Sequence, residues 1–391
     1  MENATIIYFH GNDWAGVPGR QRLLMEAMSR HARVVFLDGG RDKRWQVNHF
    51  ESAPNVVVVR GLASLLIALA RRGWHFLARL LARRVLRKYA RGSDRMVYWG
   101  AENYYQLHRF VPHDFFVHDS IDPCFLAGQE QAFAERERAV AGAADVVFCT
   151  AETLLAEARK ANTHCHLIPN ACSAGDFESG GRWADVPEEL KGRSRPFIGY
   201  IGTLDQRLAL PYLLQAATQL TDRTFVFVGP VLKELEDELR PLRDLPNVVF
   251  TGPKFWRDAT AYAQAFDVCL IPFAEGPAGD ALNPVKLYTY LAGRKSVVTT
   301  SIHECRRHDT FVRVASTPAE FCRAIEEATA SPDPEARQRG VDFAGRNMWE
   351  HRADEAVAVL RARGAFSGSG RNVTPMNAGD RPELRETLQT A

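Results

Sequence analysis

The sequence lacks a CxxC pair, a membrane-length apolar run, a GxGxxG turn, and any acidic residue from Ser52 to Ser93. Its seven cysteines (Cys124, Cys149, Cys165, Cys172, Cys269, Cys305 and Cys322) are scattered and odd in number. That pattern argues against a disulfide framework or structural zinc and fits a reducing compartment. The longest mostly apolar run, Leu62 to Ala70, is far below the roughly 20 residues that span a bilayer. Without GxGxxG at the opening of either half, an NAD-dependent oxidoreductase is disfavoured. The N-terminal MENATIIYFHGND has no cationic region before its short apolar run, so no secretory signal is expected. A soluble or peripheral protein of the cytosol is the expectation.

At 391 residues the chain is too long for one typical core, and two domains are expected. Short apolar strands alternate with helical patterns throughout, the signature of an α/β fold with parallel sheets. In the first half Ile6 to Phe9, Val34 to Leu37, Val56 to Val59, Met96 to Trp99, Phe115 to His118 and Val146 to Cys149 read as strands. Helical patterns occur at Arg20 to Ser29, Leu62 to Arg91, Gln129 to Ala141 and Ala151 to Lys160. This half is placed at 1–178, and the polar stretch 179–195 reads as a linker. A second α/β series, 196–345, opens with Phe197 to Ile201; its helical patterns include Leu232 to Leu242. A closing helix is expected within 346–364, and the Ser/Gly/Pro-rich 365–391 is expected to be disordered.

The most informative stretch is Phe266 to Thr300, FDVCLIPFAEGPAGDALNPVKLYTYLAGRKSVVTT. It reads as a strand, a Gly-rich loop, a helix and a second strand. Asn283 is a candidate N-cap, with Pro284 at the first helical position. Such a helix presents unpaired N–H groups and a partial positive charge at its start. Lys286 adds a full charge at the end where a cation gains nothing structurally. An anionic ligand such as a diphosphate explains that placement better than a plain surface lysine.

NPVKLYTYLAGRKSVVTT (283–300) resembles the P-x-K-x-x-E-Y-L-A-x-G-K-P-V-V block of family 4-like GT-B glycosyltransferases of bacterial polysaccharide synthesis. GYIGTLDQR (199–207), TFVFVGPV (224–231), LPNVVFTGPK (245–254) and AFDVCLIPF (265–273) are similar to the preceding segments of that donor domain, in order. AADVVFCTAETL, HLIPNACSAGDF and FAGRNMWEHRADEAV extend the resemblance over most of the chain up to Gly364. It implies two Rossmann-like domains facing across a cleft, with a C-terminal helix crossing back. The activity implied is a hexosyltransferase-type transfer from a nucleotide-diphosphate sugar, UDP favoured, with neither cofactor nor metal. One departure stands out: the Glu that takes the ribose hydroxyls in this family is Thr289 here, and its upstream partner is Ala281.

The resemblance and the residue chemistry together nominate Gly202, Thr203, Arg207, Gly229, Lys254, Asn283, Lys286 and Thr289 for donor binding, with Phe255 flanking the base. A tight turn at Gly202-Thr203 and a solvated Arg207 are the competing structural readings. FFVHDSID (115–122) clusters His118, Asp119 and Asp122 at a strand end, where an Asp would deprotonate an acceptor hydroxyl. Asp119 is the favoured base, and Asp122 before Pro123 also fits a helix cap. Gly11 and Asp13, after the first strand, are candidate acceptor contacts.

From Leu62 to Arg91, leucines and Trp74 interleave with basic residues; nine are present counting from Arg60. A basic amphipathic helix of this kind reads as an element that docks on an anionic membrane surface. The alternative is a core helix with a solvated arginine face. Aromatic content is too low for a nucleic-acid stacking platform. The expected protein is peripheral on the inner face of the cell membrane, with a lipid-linked or growing glycan as acceptor. A non-catalytic partner of a polysaccharide assembly complex, or a sugar-nucleotide epimerase, are the alternatives.

Overall fold

The computed structural model describes residues 3–9, 14, 18–39, 48–90, 95–101, 107–121, 130–178 and 186–366. The first half holds strands β1 (Ala4–Phe9), β2 (Arg33–Asp38), β3 (Asn48–Ala53), β4 (Val56–Arg60), β5 (Arg95–Gly100), β6 (Phe115–Ser120), β7 (Val146–Cys149) and β8 (Cys165–Leu167). They form one sheet in the order β3-β4-β2-β1-β5-β6-β7-β8. Only the β3–β4 pair is antiparallel, and β3 was not anticipated from the sequence. The strands are apolar almost throughout because both faces of the sheet are covered. One face packs around Ile6, Tyr8, Phe36 and Trp99, the other around Ile7, Val35, Tyr98 and Val147.

Covering helices are α1 (Arg20–Met28), α2 (Leu62–Arg71), α3 (His75–Leu86), α4 (Glu130–Ala143), α5 (Glu152–Ala158) and α6 (Ala174–Glu178). The segment expected as one long helix from Leu62 to Arg91 is therefore two. Gly73, at φ +75°, occupies the left-handed region between them, and its N–H closes the first helix on the Ala70 carbonyl at 2.9 Å.

The second half holds β9 (Phe197–Ile201), β10 (Thr224–Val228), β11 (Val248–Gly252), β12 (Val268–Ile271), β13 (Ser296–Thr300) and β14 (Arg313–Ala315). All are parallel, in the order β11-β10-β9-β12-β13-β14. This is a doubly wound arrangement, whose order reverses between β9 and β12. A crevice opens at such a switch point, outside the carboxyl ends of the strands. The helices are α7 (Leu210–Gln219), α8 (Arg240–Arg243), α9 (Trp256–Ala265), α10 (Pro277–Asp280), α11 (Val285–Ala292), α12 (His303–Arg306), α13 (Pro318–Ala330), α14 (Pro334–Arg346) and α15 (Trp349–Ala362). In place of one helix from Leu232 to Leu242 there is a 3-10 turn, Lys233–Leu235, then the short α8.

The chain passes between halves twice. Helix α6 already packs on α11, so the first passage precedes Ala174 and lies earlier than the expected boundary at 178. The return lies between α14, which packs on α11, and α15, which packs on α1. At the passages Cys172 and Met348 form a parallel β-bridge. Cys172 N–H donates to the Asn347 carbonyl at 3.1 Å and Trp349 N–H to the Cys172 carbonyl at 3.0 Å. Helix α15 thus belongs to the first half's core, where Trp349, Ala353, Val357 and Leu360 are buried. Ala365 and Phe366 are buried there too, so the start of the tail expected to be disordered is packed; 367–391 lie outside the described residues.

Candidate active site

A cleft of ≈ 370 Å³ lies between the halves. Its walls include two helix starts: Gly19, Arg20 and Gln21 of α1, and Pro284, Val285 and Lys286 of α11. First-turn N–H groups have no partner within their own helix, and each start carries partial positive charge. Two such ends converging on one cleft, each with a basic side chain, favour an anion between them.

Helix α11 begins one residue later than the sequence suggests. Pro284 is its N-cap, because Asn283 is used elsewhere. The Asn283 Oδ1 accepts from the Asn170 backbone N–H at 2.9 Å, and its Nδ2 donates to Tyr288 Oη at 3.1 Å. The Asn170 amide donates in return to the Asn283 carbonyl. Asn170 follows β8 and Asn283 precedes α11, so this pair ties the two halves at the floor of the cleft. Asn170 Oδ1 is buried without a hydrogen-bond partner, and Asn170 lines the cleft.

At the switch point, Gly202 follows β9 and Phe273 follows β12. The Lys286 ammonium lies over the rings of Tyr200, at 4.7 Å, and Phe273, at 4.6 Å. A Cβ added at Gly202 would come 3.2 Å from the Lys286 Nζ, so the ammonium sits directly over that turn. Gly229 stands behind it: a Cβ there would meet the Gly202 carbonyl oxygen at 2.1 Å, an impossible approach. Gly229 therefore supports the turn without lining the cleft.

Gly202, Arg207, Asn283, Lys286 and Thr289 all line the cleft. Arg207 does so while its guanidinium pairs with Asp205 at 2.7 Å. Thr289 Oγ1 donates to the Lys286 carbonyl at 3.3 Å. The Thr203 carbonyl accepts from Tyr200 Oη at 2.9 Å. Lys254 does not reach the cleft: it pairs with Glu189 and lies over the Tyr262 ring at 5.5 Å, bracing the segment that enters the second half. Phe255 is also absent from the lining, and its side chain is 84% exposed.

The first-half cluster differs from expectation. Asp119 is fully buried and holds Arg20: Oδ1 accepts from Nη2 at 2.8 Å and Oδ2 from Nε at 3.2 Å. Arg20 Nη1 also donates to the Ile168 carbonyl at 2.8 Å. Asp119 is therefore a positioning residue for Arg20, which lines the cleft, and is withdrawn as a base. His118 is fully buried as well, 2.8 Å from Glu137 and 3.3 Å from the Gly100 carbonyl. Burial opposes its charged form, but the charge and hydrogen bond of Glu137, with Asp119 and the Gly100 carbonyl, together outweigh that and raise its pKa above the ordinary value. It is withdrawn from catalysis for the same reason. Asp122, Gly11 and Asp13 lie outside the described residues.

Two cleft residues escaped the sequence reading. Arg20 sits in an unremarkable helical pattern, and its partner is 99 positions away. Asp176 is the one carboxylate among the described residues lining the cleft. Burial raises its pKa, against the lowering effect of the Ser173 N–H it accepts at 2.7 Å. Its backbone lies 3.9 Å from a Cβ position on Gly293, in the last turn of the helix that carries Lys286 and Thr289. In the sequence it looks like a capping residue, and nothing marks it further.

No family model matches the chain. A Bacillus subtilis (strain 168) protein, TuaH, named as a glycosyltransferase of teichuronic acid biosynthesis, is 31% identical over 163 residues. That match spans 41% of this chain and 41% of the relative's length. Sucrose-phosphate synthase from Thermosynechococcus elongatus superposes with a TM-score of 0.73 at 17% identity, over 93% of this chain and 100% of that one. A UDP-forming α,α-trehalose-phosphate synthase from Burkholderia xenovorans gives 0.66 at 14% identity, over 92% and 99%. An E. coli trehalose-6-phosphate structure bound with UDP-2-fluoro glucose gives 0.63 at 12% identity, over 91% and 99%. These likenesses show that the chain has the GT-B fold, two Rossmann-like domains facing across a cleft.

Proposed function

We propose that this GT-B chain is a glycosyltransferase of cell-surface polysaccharide synthesis, moving a sugar from a UDP-sugar to a lipid-linked or growing glycan at an anionic membrane surface. The convergence of two helix starts on the cleft at the β9/β12 switch point, with Lys286 beside them, carries this reading. The bond between the anomeric carbon and the phosphate oxygen breaks, and charge grows on the leaving diphosphate. Preorganised N–H groups and a lysine ammonium stabilise charge where it develops, so no metal is needed in this role. Asp176 accepts hydrogen bonds from the ribose hydroxyls, the task for which Thr289 has no charge. The name of the B. subtilis relative and the UDP-forming activity named for a structural neighbour support the assignment.

The membrane part rests on α3. This helix buries its small face, Ala78 and Ala82 with Leu86. Its large apolar side chains point outward: Phe76 is 80% exposed and Leu80 52%, beside Trp74 at 55%. Exposed Arg83, Arg84, Arg87 and Lys88 extend the same element. An outward apolar cluster rimmed by cations fits the headgroup region of an anionic leaflet. Helix α2, in contrast, buries Leu62, Leu66 and Leu69, so the docking element is narrower than the whole stretch 62–91. No helix among the described residues is long and apolar enough to cross a membrane. The placement proposed is peripheral, on the cytoplasmic face.

Calorimetry with UDP, GDP, TDP and ADP tests the donor assignment. Micromolar binding of UDP above the others is expected; binding of none would remove the transferase reading.

A further inference from the structure

We infer that a second cavity, between α2 and the carboxyl ends of β1 and β2, binds the phosphomonoester of an amphiphile anchored in the bilayer. The inference rests on the membrane-surface part of the proposed function. The cavity encloses ≈ 550 Å³ and is lined by Phe9, Gly39, Ala63, Ile67, Arg71 and Arg72 among others. Phe9 ends β1 and Gly39 follows β2, so the cavity opens at the edge of the sheet that also faces the cleft. Ligands of open α/β sheets gather at that edge.

Its chemistry is anion-binding. Arg71 and Arg72 are adjacent, exposed and at the last turn of α2. Arg71 has no hydrogen bond or ion pair among the described residues, and Arg72 Nη1 only reaches the Ala68 carbonyl at 3.5 Å. With no acidic residue from Ser52 to Ser93, the local sequence supplies no carboxylate to neutralise them. Two neighbouring guanidiniums match a dianionic phosphate, which offers several acceptor oxygens to their planar forks. A singly charged carboxylate or phosphodiester satisfies them less well.

The apolar end of the ligand is fixed by the neighbouring residues of the chain. Only Gly73 separates Arg72 from Trp74, the first residue of the exposed apolar cluster. Cavity and cluster thus meet at the turn of one helix–turn–helix. A phosphate held by Arg71 and Arg72 leaves its hydrocarbon chain, the one substituent a phosphomonoester carries, at the bilayer.

The test is vesicle sedimentation with the full chain on phosphatidylcholine carrying phosphatidic acid, a prenyl phosphate or phosphatidylserine, matched for surface charge. Wild-type protein is expected to favour the two phosphomonoesters over phosphatidylserine by about fivefold, the difference that roughly 1 kcal/mol of charge-assisted bonding makes. The Arg71→Ala/Arg72→Ala variant is expected to bind all three anionic vesicles more weakly and to lose the preference among them, while keeping its UDP affinity. Preference for one phosphomonoester over the other identifies the hydrocarbon the site accepts; equal binding of the two identifies recognition of the phosphate alone. Equal binding of wild type to all three anionic vesicles, or a preference that survives the double variant, overturns this inference alone. Failure to bind any anionic vesicle overturns the membrane reading with it.

Discussion

The ammonium of Lys286 rests on the ring of Tyr200, 4.7 Å from its centre and 3.5 Å from its hydroxyl. Tyr200 belongs to β9 and Lys286 to α11, so the contact pins the start of the helix over the switch point. Lys286 also lines the cleft, so a ligand held there lies within reach of its charge. Hydrogen bonds to a charged group contribute about 1.5–3 kcal/mol. Lys286→Ala is therefore expected to weaken UDP binding by roughly 10- to 100-fold with the thermal midpoint nearly unchanged. Unaltered affinity by calorimetry would remove Lys286 from the diphosphate site.

Asp176→Asn separates the two ends of the nucleotide. The amide keeps a neutral acceptor but loses charge assistance, a difference of about 1 kcal/mol. UDP affinity should fall about fivefold while inorganic diphosphate binds as before. An equal loss for both ligands would place Asp176 elsewhere.

The Arg20–Asp119 pair is buried on both sides, 2% and 0% exposed. Removing one member of such a pair leaves an uncompensated charge and costs about 3–5 kcal/mol. Asp119→Ala should show that loss in urea unfolding. A residue serving only as a base would leave the unfolding midpoint in place and remove turnover alone.

His118 and Glu137 predict a pH window for stability. The histidine is raised above its ordinary 6.5 and the glutamate held below its ordinary 4.5. For Glu137, burial acts against this, and the His118 charge together with the hydrogen bonds from His118 and Ser120 outweighs it. The histidine's contribution is complete below pH 6.5 and disappears as pH rises through its raised value. The glutamate's is complete above 4.5 and disappears as pH falls through its lowered value. The thermal midpoint should have its pair-dependent plateau between these limits, and His118→Gln should flatten the alkaline side. An unchanged alkaline limb in that variant would assign it to other groups.

Charge reversal on α3 tests its surface role. Each basic residue near an anionic leaflet contributes about 1 kcal/mol. Arg83, Arg84 and Arg87 changed to Glu should abolish sedimentation with phosphatidylserine vesicles, and raised salt should weaken the wild type. Trp74→Ala/Phe76→Ala should weaken binding without altering its salt dependence. Retained sedimentation in both variants would return α3 to an ordinary solvated helix.

How much the sequence disclosed depends on the range over which its signals act. The Lys286 block was legible because strand, loop, helix and charge all fall within 35 consecutive residues, Phe266 to Thr300. The parallel α/β architecture needed only the alternation of short apolar strands with helical patterns. Asp119 was misjudged because its partner Arg20 enters from another helix; local spacing placed the carboxylate at a strand end but not the guanidinium that occupies it. Asn283 was read as a cap for the same reason, its side chain being taken by Asn170, 113 positions earlier. The division of Leu62 to Arg91 depended on one glycine, and periodicity alone runs through it. Which face of α3 turns inward is hidden in the sequence because Ala78 and Ala82, with Leu86, are its buried residues, while Phe76, Leu77 and Leu80 face outward.

The bridge between Cys172 and Met348 sets the mechanics of the pair of halves. Two chain passages hydrogen-bonded side by side resemble the spine of a book. Sliding one half against the other would break the bond from Cys172 N–H to the Asn347 carbonyl and that from Trp349 N–H to the Cys172 carbonyl, whereas a small rotation about the bridge would leave both in place. The bridge therefore opposes shear of the two cleft walls, and the starts of α1 and α11 keep their alignment along the spine.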